Sequence, residues 1–136
     1  MFLFDTDTIS HIIKKNPPSL LVSKIAEVPP EQQFTTAINV GEMVYGACKK
    51  GLSADHFLEK LSKQVLPNIN ILTFDKASAY IYGKLRAELE KQGTPIGEPD
   101  LRIASIALSN RMVLITSNTK HFERIPGLSI ENWLSS

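Results

Sequence analysis

The sequence has a single cysteine among its 136 residues and no long apolar run. Cys48 cannot form an internal disulfide, which suits a reducing compartment, and its place in a helical pattern predicts a small buried thiol. No apolar stretch approaches the ~20 residues that cross a bilayer, and the amino terminus has no basic segment followed by an apolar one. We therefore expect a cytoplasmic protein that is neither exported nor inserted in a membrane.

The sequence also lacks an excess of charge of one sign, because 15 Lys and Arg residues and 14 Asp and Glu residues leave a net charge of +1. A local basic rim can coexist with a local acidic pocket, so this balance excludes no class of ligand. The chain has the usual length of one domain with its own core and contains no repeat, linker or low-complexity tract. Residues 1–136 are therefore predicted to form a single domain.

Phe2-Leu3-Phe4 is an apolar run that leads directly into two carboxylates, Asp5 and Asp7. Such a run predicts a buried strand at the centre of a sheet. In open parallel sheets, ligands bind in the crevice at the carboxyl ends of the strands. We interpret Asp7 as the cap of the helix that follows and Asp5 as a functional group, because one cap is enough and an uncompensated charge at Asp5 would cost stability.

Strand and helix patterns then alternate along the chain. Helices separate the strands, which implies right-handed crossovers, a parallel sheet covered on both faces and an α/β fold. Further strands are expected at 34–37, 70–74, 112–116 and, as a weak edge strand, 128–130. Helices are expected at 8–15, 19–28, from Asn39 onward, at 54–65, from a cap at Asp75 to Gly93, and at 101–108.

Glu42 and Asp100 are two further acids that lie near predicted helix starts. Glu42 follows Asn39 by three residues, the spacing of a capping box, so Glu42 is either a cap partner or a functional acid. Asp100 lies where the helix dipole favours an acid, but it shares a helix face with two alanines, Ala104 and Ala107. A face with two alanines packs closely, so Asp100 is expected to point inward.

Asn118 follows the last buried strand at a position typical of a turn residue, and it would meet Asp5, Glu42 and Asp100 at one edge of the sheet. Three crowded carboxylates raise one another's pKa unless a cation neutralises them. Ligands that are all oxygen suit Mg²⁺ or Mn²⁺ and argue against zinc. The histidines have no spacing typical of a metal site and are interpreted as surface or rim residues: His11, His56 and His121.

The segments that contain these residues also carry a resemblance that covers nearly the whole chain and keeps motif order. The chain resembles the PIN domain and, more narrowly, the VapC toxins of type II toxin–antitoxin pairs. The segments that resemble successive PIN motifs are 2–6, 39–47, 93–104 and 116–122, and 122–133 is similar to the ending of VapC chains.

The resemblance implies a PIN-like three-layer α/β/α fold with a mainly parallel central sheet. It implies an endoribonuclease that uses Mg²⁺, or Mn²⁺ in its place, to hydrolyse a structured RNA such as tRNA. Asp5, Glu42 and Asp100 would form the acidic metal site, and Asn118 would take the fourth position, which is Asp in many PIN domains. Asp7 stands where Asn is common, and it has no role implied by the family.

The resemblance also implies partners: a VapB-like antitoxin, a second copy of the chain in a homodimer, and DNA reached only through the antitoxin complex. Phosphate contacts need cations outside the acidic pocket. Arg86 and Arg102 are the first candidates, because they lie closest in sequence to the loop before Asp100. The other candidates are Lys14, Lys15, Lys49, Lys50, Lys120 and Arg124.

Two alternatives to this function remain. A haloacid-dehalogenase-like phosphatase would also place Asp5-Thr6-Asp7 after an apolar strand, but it needs a late pair of acids, and the segment Ile115-Thr116-Ser117-Asn118 has none. A PIN-like module without catalytic activity, which binds RNA or a protein partner, is the other. Cleavage with Mg²⁺ or Mn²⁺ by the purified protein and by an Asp5→Asn variant separates these possibilities.

Overall fold

The central feature of the fold is one parallel sheet with its first strand in the middle. A computed structural model describes residues 1–51 and 54–135. Its five strands have the spatial order β3-β2-β1-β4-β5, and each neighbouring pair is parallel. The predicted α/β class and the central position of the first strand are confirmed. The strands are β1 Phe2–Phe4, β2 Gln33–Thr36, β3 Asn70–Leu72, β4 Val113–Ile115 and β5 Ile130–Glu131.

Helices connect and cover these strands. The described helices are α1 Thr6–Ile13, α2 Ser19–Ala26, α3 Ala37–Lys50, α4 Ala54–Lys60, α5 Lys76–Lys91, α6 Glu98–Ser109 and α7 Thr119–Phe122. A π-helical turn, Leu61–Val65, continues α4, and 3₁₀ turns span Pro30–Gln32 and Leu66–Asn68. None of the helices in the described part of the chain is both long and apolar enough to cross a membrane.

Successive side chains of β1 enter different hydrophobic layers, because strand side chains alternate between the two faces of a sheet. Leu3 packs in a cluster with α6, and Phe4 packs in a second cluster with Ile9 and Met43. Trp133 closes the second cluster, with its ring centroid 5.7 Å from that of Phe4. The sheet is therefore the middle of three layers, as expected for an α/β/α fold.

Both ends of α5 match their predicted chemistry, whereas α6 begins earlier than expected. Asp75 caps α5 by accepting a hydrogen bond from the Ser78 amide at 2.9 Å. Gly93 follows the end of α5 with a φ of +73°, a value that glycine adopts without steric cost. The predicted helix at 101–108 begins instead at Glu98, because Pro99 in its first turn is preorganised for a helix and Gly97 is its cap residue.

The prediction of a buried thiol at Cys48 is wrong, because Cys48 is exposed. Buried positions on α3 recur every four residues, at Asn39, Met43 and Ala47. Cys48 lies one position beyond Ala47, which turns its side chain about 100° away from the buried face.

Candidate active site

Asp5 is the centre of the candidate site. It follows β1 directly, its side chain is only 7 % exposed, and three donors bind its carboxylate. The Thr6 amide donates to Oδ1 at 2.9 Å, the Asn39 side-chain amide donates to Oδ1 at 3.0 Å, and the Thr116 hydroxyl donates to Oδ2 at 2.8 Å. Three different segments of the carboxyl edge of the sheet therefore hold this one carboxylate in place.

The helix cap at Asp5 corrects the sequence-based assignment. Asp5 is the N-cap residue of α1, and Asp7 lies inside the first turn of that helix. The prediction that Asp7 caps the helix is therefore wrong. Two acids separated by one residue are both good caps in sequence, and the register of β1 decides between them: Asp5 is the first residue after the strand, with its amide bonded to the Ile115 carbonyl at 2.9 Å.

The capping interpretation of Glu42 is also wrong, and the reason is the start of α3. Thr36 is the N-cap residue, and its hydroxyl accepts from the Asn39 amide at 3.1 Å. The same hydroxyl donates to the Asn39 side-chain oxygen at 2.7 Å. Thr36 and Asn39 are thus paired with each other at the start of α3, and Glu42 lies one turn further along the helix.

Glu42 contacts α1 instead of its own helix end. The Thr6 hydroxyl donates to Glu42 Oε1 at 3.2 Å, and the Asn39 side-chain amide donates to the same hydroxyl at 3.0 Å. Thr6 therefore connects Glu42 with Asn39, which in turn binds Asp5. Glu42 is half-buried, and it faces the same edge of the sheet as Asp5.

Asp100 lies in the first turn of α6 and is linked to α7 through a histidine. His121 Nδ1 lies 3.2 Å from Asp100 Oδ2 and 3.0 Å from Asn118 Nδ2. The ring nitrogen can donate to the carboxylate or accept from the amide, but it cannot do both at once. Asp100 is only 25 % exposed, which confirms that its side chain points inward, and Asn118 is exposed beside it.

Asp7 binds the loop that carries Asn118. The Ser117 amide donates to Asp7 Oδ2 at 2.9 Å, and the Ser117 hydroxyl donates to the same oxygen. A fourth carboxylate therefore lies at this edge of the sheet, fixed by the segment after β4. The sequence pattern placed Asp7 near the site, but it did not reveal this contact.

The carboxylates disfavour one another's ionisation. Burial raises the pKa of Asp5 from 3.8 to about 6, the hydrogen bonds from Thr116 and Thr6 oppose this rise, and the charges of Asp7 and Asp100 add to it. Burial and the charge of Asp100 raise the pKa of Glu42. Burial raises the pKa of Asp100 as well, where His121 acts in the opposite direction and Asp7 adds to the rise. The four acids therefore form one electrostatic group.

The chemistry of this group fits a hard divalent cation. Its free donors are carboxylate oxygens, and a cation would relieve both the burial cost and the mutual repulsion. Asp5 keeps acceptor capacity, since an ionised carboxylate offers about four lone-pair sites and three donors occupy it. Within residues 1–51 and 54–135, however, no three His, Cys, Asp or Glu side chains are already gathered at the spacing of a metal shell. Small side-chain movements would therefore have to accompany binding.

The two arginines predicted first as phosphate contacts are engaged elsewhere. Arg86 pairs with Glu90 at 3.2 Å and donates to the Tyr82 hydroxyl at 2.9 Å. Arg102 pairs with Glu98 and lies over the rings of Phe74 and Tyr82. Both positive charges are compensated by a neighbour on the same helix, which weakens the case for phosphate binding by either residue.

Comparison of the sequence with known proteins shows which family the chain belongs to. The sequence profile of the PIN domain matches residues 2–128. The chain is 33% identical to the "tRNA(fMet)-specific endonuclease VapC" of Salmonella typhimurium over 132 residues, which is 97% of each chain. The chain belongs to the PIN-domain family, in its VapC group. PIN-domain nucleases generally use divalent metal ions, in agreement with the acidic character of the site.

Other VapC proteins support the same placement. The "Ribonuclease VapC2" of Haemophilus influenzae strain Rd is 32% identical over 133 residues, 98% of each chain. The crystal structure of VapBC2 from Rickettsia felis, bound to a DNA fragment from its promoter, superimposes with a TM-score of 0.87 at 32% identity, covering 97% of this chain and 98% of that one. These similarities favour the PIN interpretation over the haloacid-dehalogenase-like alternative.

Sequence reasoning missed two members of the site, Asn39 and His121. Asn39 was interpreted as a helix cap, whereas its side chain bridges Asp5 and Thr6. The sequence indicates that His121 is a surface or rim residue, and the structure adds its contact with Asp100. The three-residue spacing between Asn118 and His121 places both on one side of a helical turn, and this spacing was the available signal.

Proposed function

We propose that the chain is the toxin of a type II toxin–antitoxin pair and acts as a metal-dependent endoribonuclease. One observation carries the proposal: a buried, triply hydrogen-bonded Asp5 lies at the end of the central strand of a VapC fold, in one electrostatic group with Glu42 and Asp100. Carboxylates kept close together despite their repulsion are typical of a cation-binding catalytic site.

Asp5 and Asp100 would hold the cation, Mg²⁺ or, in its place, Mn²⁺. Glu42 would complete the shell or orient the attacking water, since the Thr6 hydroxyl fixes its side chain beside Asp5. Asn118 would take the fourth position, where its amide donates to substrate or to water and adds no negative charge. Asn39 and Thr116 keep the Asp5 carboxylate oriented.

The chemistry that a divalent cation supplies when bound is polarisation of a phosphoryl oxygen and a lowered pKa of the attacking water. Glu42, the acid that is not needed to hold the cation, would accept the proton that the attacking water loses. Hydrolysis of this kind leaves a 5′-phosphate and a 3′-hydroxyl, and it does not use the 2′-hydroxyl of RNA as nucleophile.

The substrate we infer is a structured RNA with an unpaired segment, most simply a tRNA loop. Proteins recognise such RNAs through shape and unstacked bases, and a small pocket offers little readout of a long sequence. One of the relatives is named as a tRNA(fMet)-specific endonuclease, which supports a tRNA as the first RNA to test.

The partners we infer are a VapB-like antitoxin and a second copy of the chain, with DNA bound only through the antitoxin complex. The structural relatives support this inference, because they include VapBC complexes bound to DNA. Residues 1–136 would act as one PIN domain, and the pair would act in the cytoplasm, where tRNA is used in translation.

The test is cleavage of a set of tRNA transcripts by the purified chain. Cleavage at one or a few loop sites should require Mg²⁺ or Mn²⁺ and stop in EDTA, and Asp5→Asn should remove it while leaving the fold intact. A chain that folds, binds RNA and leaves every transcript uncut with either metal would instead be the PIN-like binding module without catalytic activity.

A further inference from the structure

A groove lies between α1, α3 and α4, toward the ends of α1 and α3 that are remote from Asp5. Its volume is about 470 Å³, and its floor is apolar, formed by side chains that include Ile13, Met43, Ala47 and Phe57. Such a volume is within the range of ~300–1,000 Å³ that holds a small ligand. None of the acids assigned to the active site lines it.

The rim of the groove is strongly basic. Its charged lining consists of Lys14, Lys15, Lys50 and Lys60, together with His56, and it includes no Asp or Glu. Lys60 donates to the Ile13 carbonyl at 3.3 Å and is held against the end of α1. Within the described residues, Lys14, Lys15 and Lys50 form no ion pair. Three cations are therefore available to an anionic ligand.

Two helices, α1 and α3, lead from the active site to the groove. Thr6 of α1 contacts Glu42 of α3 at the acidic edge, and one turn further along the same helices Ser10 and Gly46 line the groove. From Thr6 to Lys14, α1 rises by about 12 Å, which a stacked strand spans with roughly three nucleotides at ~3.4 Å each. A strand that has its cut bond at the acids therefore reaches the lysines within a few nucleotides.

We propose that this groove binds the RNA strand on one side of the cut bond, with an unpaired base on Phe57 and Met43 and phosphates on Lys14, Lys15 and Lys50. The proposal rests on the ribonuclease function proposed above and adds the path of its substrate. An apolar floor with an aromatic side chain suits the face of a base, and a lysine rim without acids suits the backbone. A helix of a protein partner also fits an apolar groove, but a rim of lysines without any acid favours an occupant with repeated negative charges, which an RNA backbone supplies.

The test is equilibrium binding of a short, unstructured, fluorescently labelled RNA in EDTA, where the chain cannot cleave it. The variant Lys14→Gln/Lys50→Gln should lose two phosphate contacts. The slope of log affinity against log salt should then become shallower by about 1.4, since each contact with a single strand contributes about 0.7. The matched control is Lys84→Gln/Lys91→Gln on α5, which removes the same charge far from the groove lining and should keep the wild-type slope.

A second variant tests whether an unpaired base of the RNA stacks on Phe57. Phe57→Leu should weaken binding of the RNA roughly ten-fold and leave binding of an abasic oligonucleotide unchanged, and Phe57→Tyr should restore it. Melting temperatures report whether Phe57→Leu folds. If this variant does not fold, Lys14→Gln/Lys50→Gln alone decides whether the groove binds RNA. An unchanged salt slope in Lys14→Gln/Lys50→Gln, or no RNA binding by the wild type, overturns the proposal.

These outcomes separate the groove from the ribonuclease function. RNA binding that depends on the groove, without cleavage of any RNA in Mg²⁺ or Mn²⁺, would contradict the proposed ribonuclease function. It would still support the proposal that the groove binds RNA. The opposite result is metal-dependent cleavage together with a salt dependence of RNA binding that Lys14→Gln/Lys50→Gln leaves unchanged. It would support the ribonuclease function and assign the groove to another ligand, such as an acidic segment of a protein partner.

Discussion

Asn39 Nδ2 lies 3.0 Å from Asp5 Oδ1 and joins the start of α3 to the end of β1. The same amide group donates to the Thr6 hydroxyl, and the side-chain oxygen of Asn39 accepts from Thr36. Asn39 is completely buried, so each of these hydrogen bonds replaces contacts with water. The orientation of the Asp5 carboxylate therefore depends on a side chain that needs no direct contact with the substrate.

The substitution Asn39→Asp should destabilise the chain by about 1–3 kcal/mol, because it removes a buried donor to Asp5 and adds a charge beside it. Urea unfolding in EDTA measures this change. Asn68→Asp is the matched control, since Asn68 is exposed and its side-chain amide donates to the Gln64 carbonyl on the surface. Equal stabilities for the two variants would contradict the assigned role of Asn39.

Glu42→Gln should keep the fold and lose turnover. Gln can still accept from the Thr6 hydroxyl, so the melting temperature should change little, but the carboxylate charge is gone. Melting temperature and RNA cleavage are measured on the same preparation. Turnover equal to that of the wild type would mean that Glu42 is a structural residue only.

The metal-free protein should lose stability as the pH rises through the titration of Asp5. The pKa of Asp5 is 3.8 in ordinary surroundings and about 6 here, so the folded chain binds the extra proton between these values. The contribution of Asp5 to the free energy of unfolding is fully present below about pH 4 and is lost above about pH 6. Its size is on the order of 3 kcal/mol. The raised pKa values of Glu42 and Asp100 act in the same direction.

Urea unfolding in EDTA across this pH range measures the effect, with Asp5→Asn as the comparison. The variant cannot ionise at this position, so its stability should fall less steeply with pH than that of the wild type. Parallel pH profiles for the two chains would show that Asp5 titrates with an ordinary pKa.

The segments that were predicted well are those that one strong pattern determines. The apolar run Phe2-Leu3-Phe4 indicated a buried central strand, and the carboxyl-edge rule for parallel sheets then placed Asp5, Glu42 and Asp100 at one edge. The helix cap at Asp75 was also predicted correctly, because the helical pattern starts directly after it.

The errors arose where two residues compete for one role. Asp5 and Asp7 are both good helix caps, and so are Thr36 and Asn39. The point at which the preceding strand ends decides which residue is the cap, and this is Asp5 for α1 and Thr36 for α3. The contacts of Asp7 with Ser117 and of Asp100 with His121 join residues far apart in sequence or on different helices, and no local pattern specifies them. Family resemblance supplied the function that these patterns left open.

Mg²⁺ or Mn²⁺ should raise the melting temperature of the wild type, because a ligand that binds only the folded state stabilises it. Asp100→Ala should lose this response, and in EDTA it should be at least as stable as the wild type, since one like-charge repulsion is removed. Asp55→Ala, which removes an exposed acid on α4, is the control and should keep the full response. A full metal response in both Asp5→Ala and Asp100→Ala would contradict the assigned site.

A single 2′-deoxy substitution at the cut site tests whether RNA is hydrolysed by water activated at the acidic group. The RNA is first cut by the wild type with Mg²⁺, its site is mapped, and the same RNA is then made with deoxyribose at that position. Cleavage should continue, and the products should carry a 5′-phosphate and a 3′-hydroxyl. Loss of cleavage with retained binding, or a 2′,3′-cyclic phosphate on the product, would contradict the mechanism.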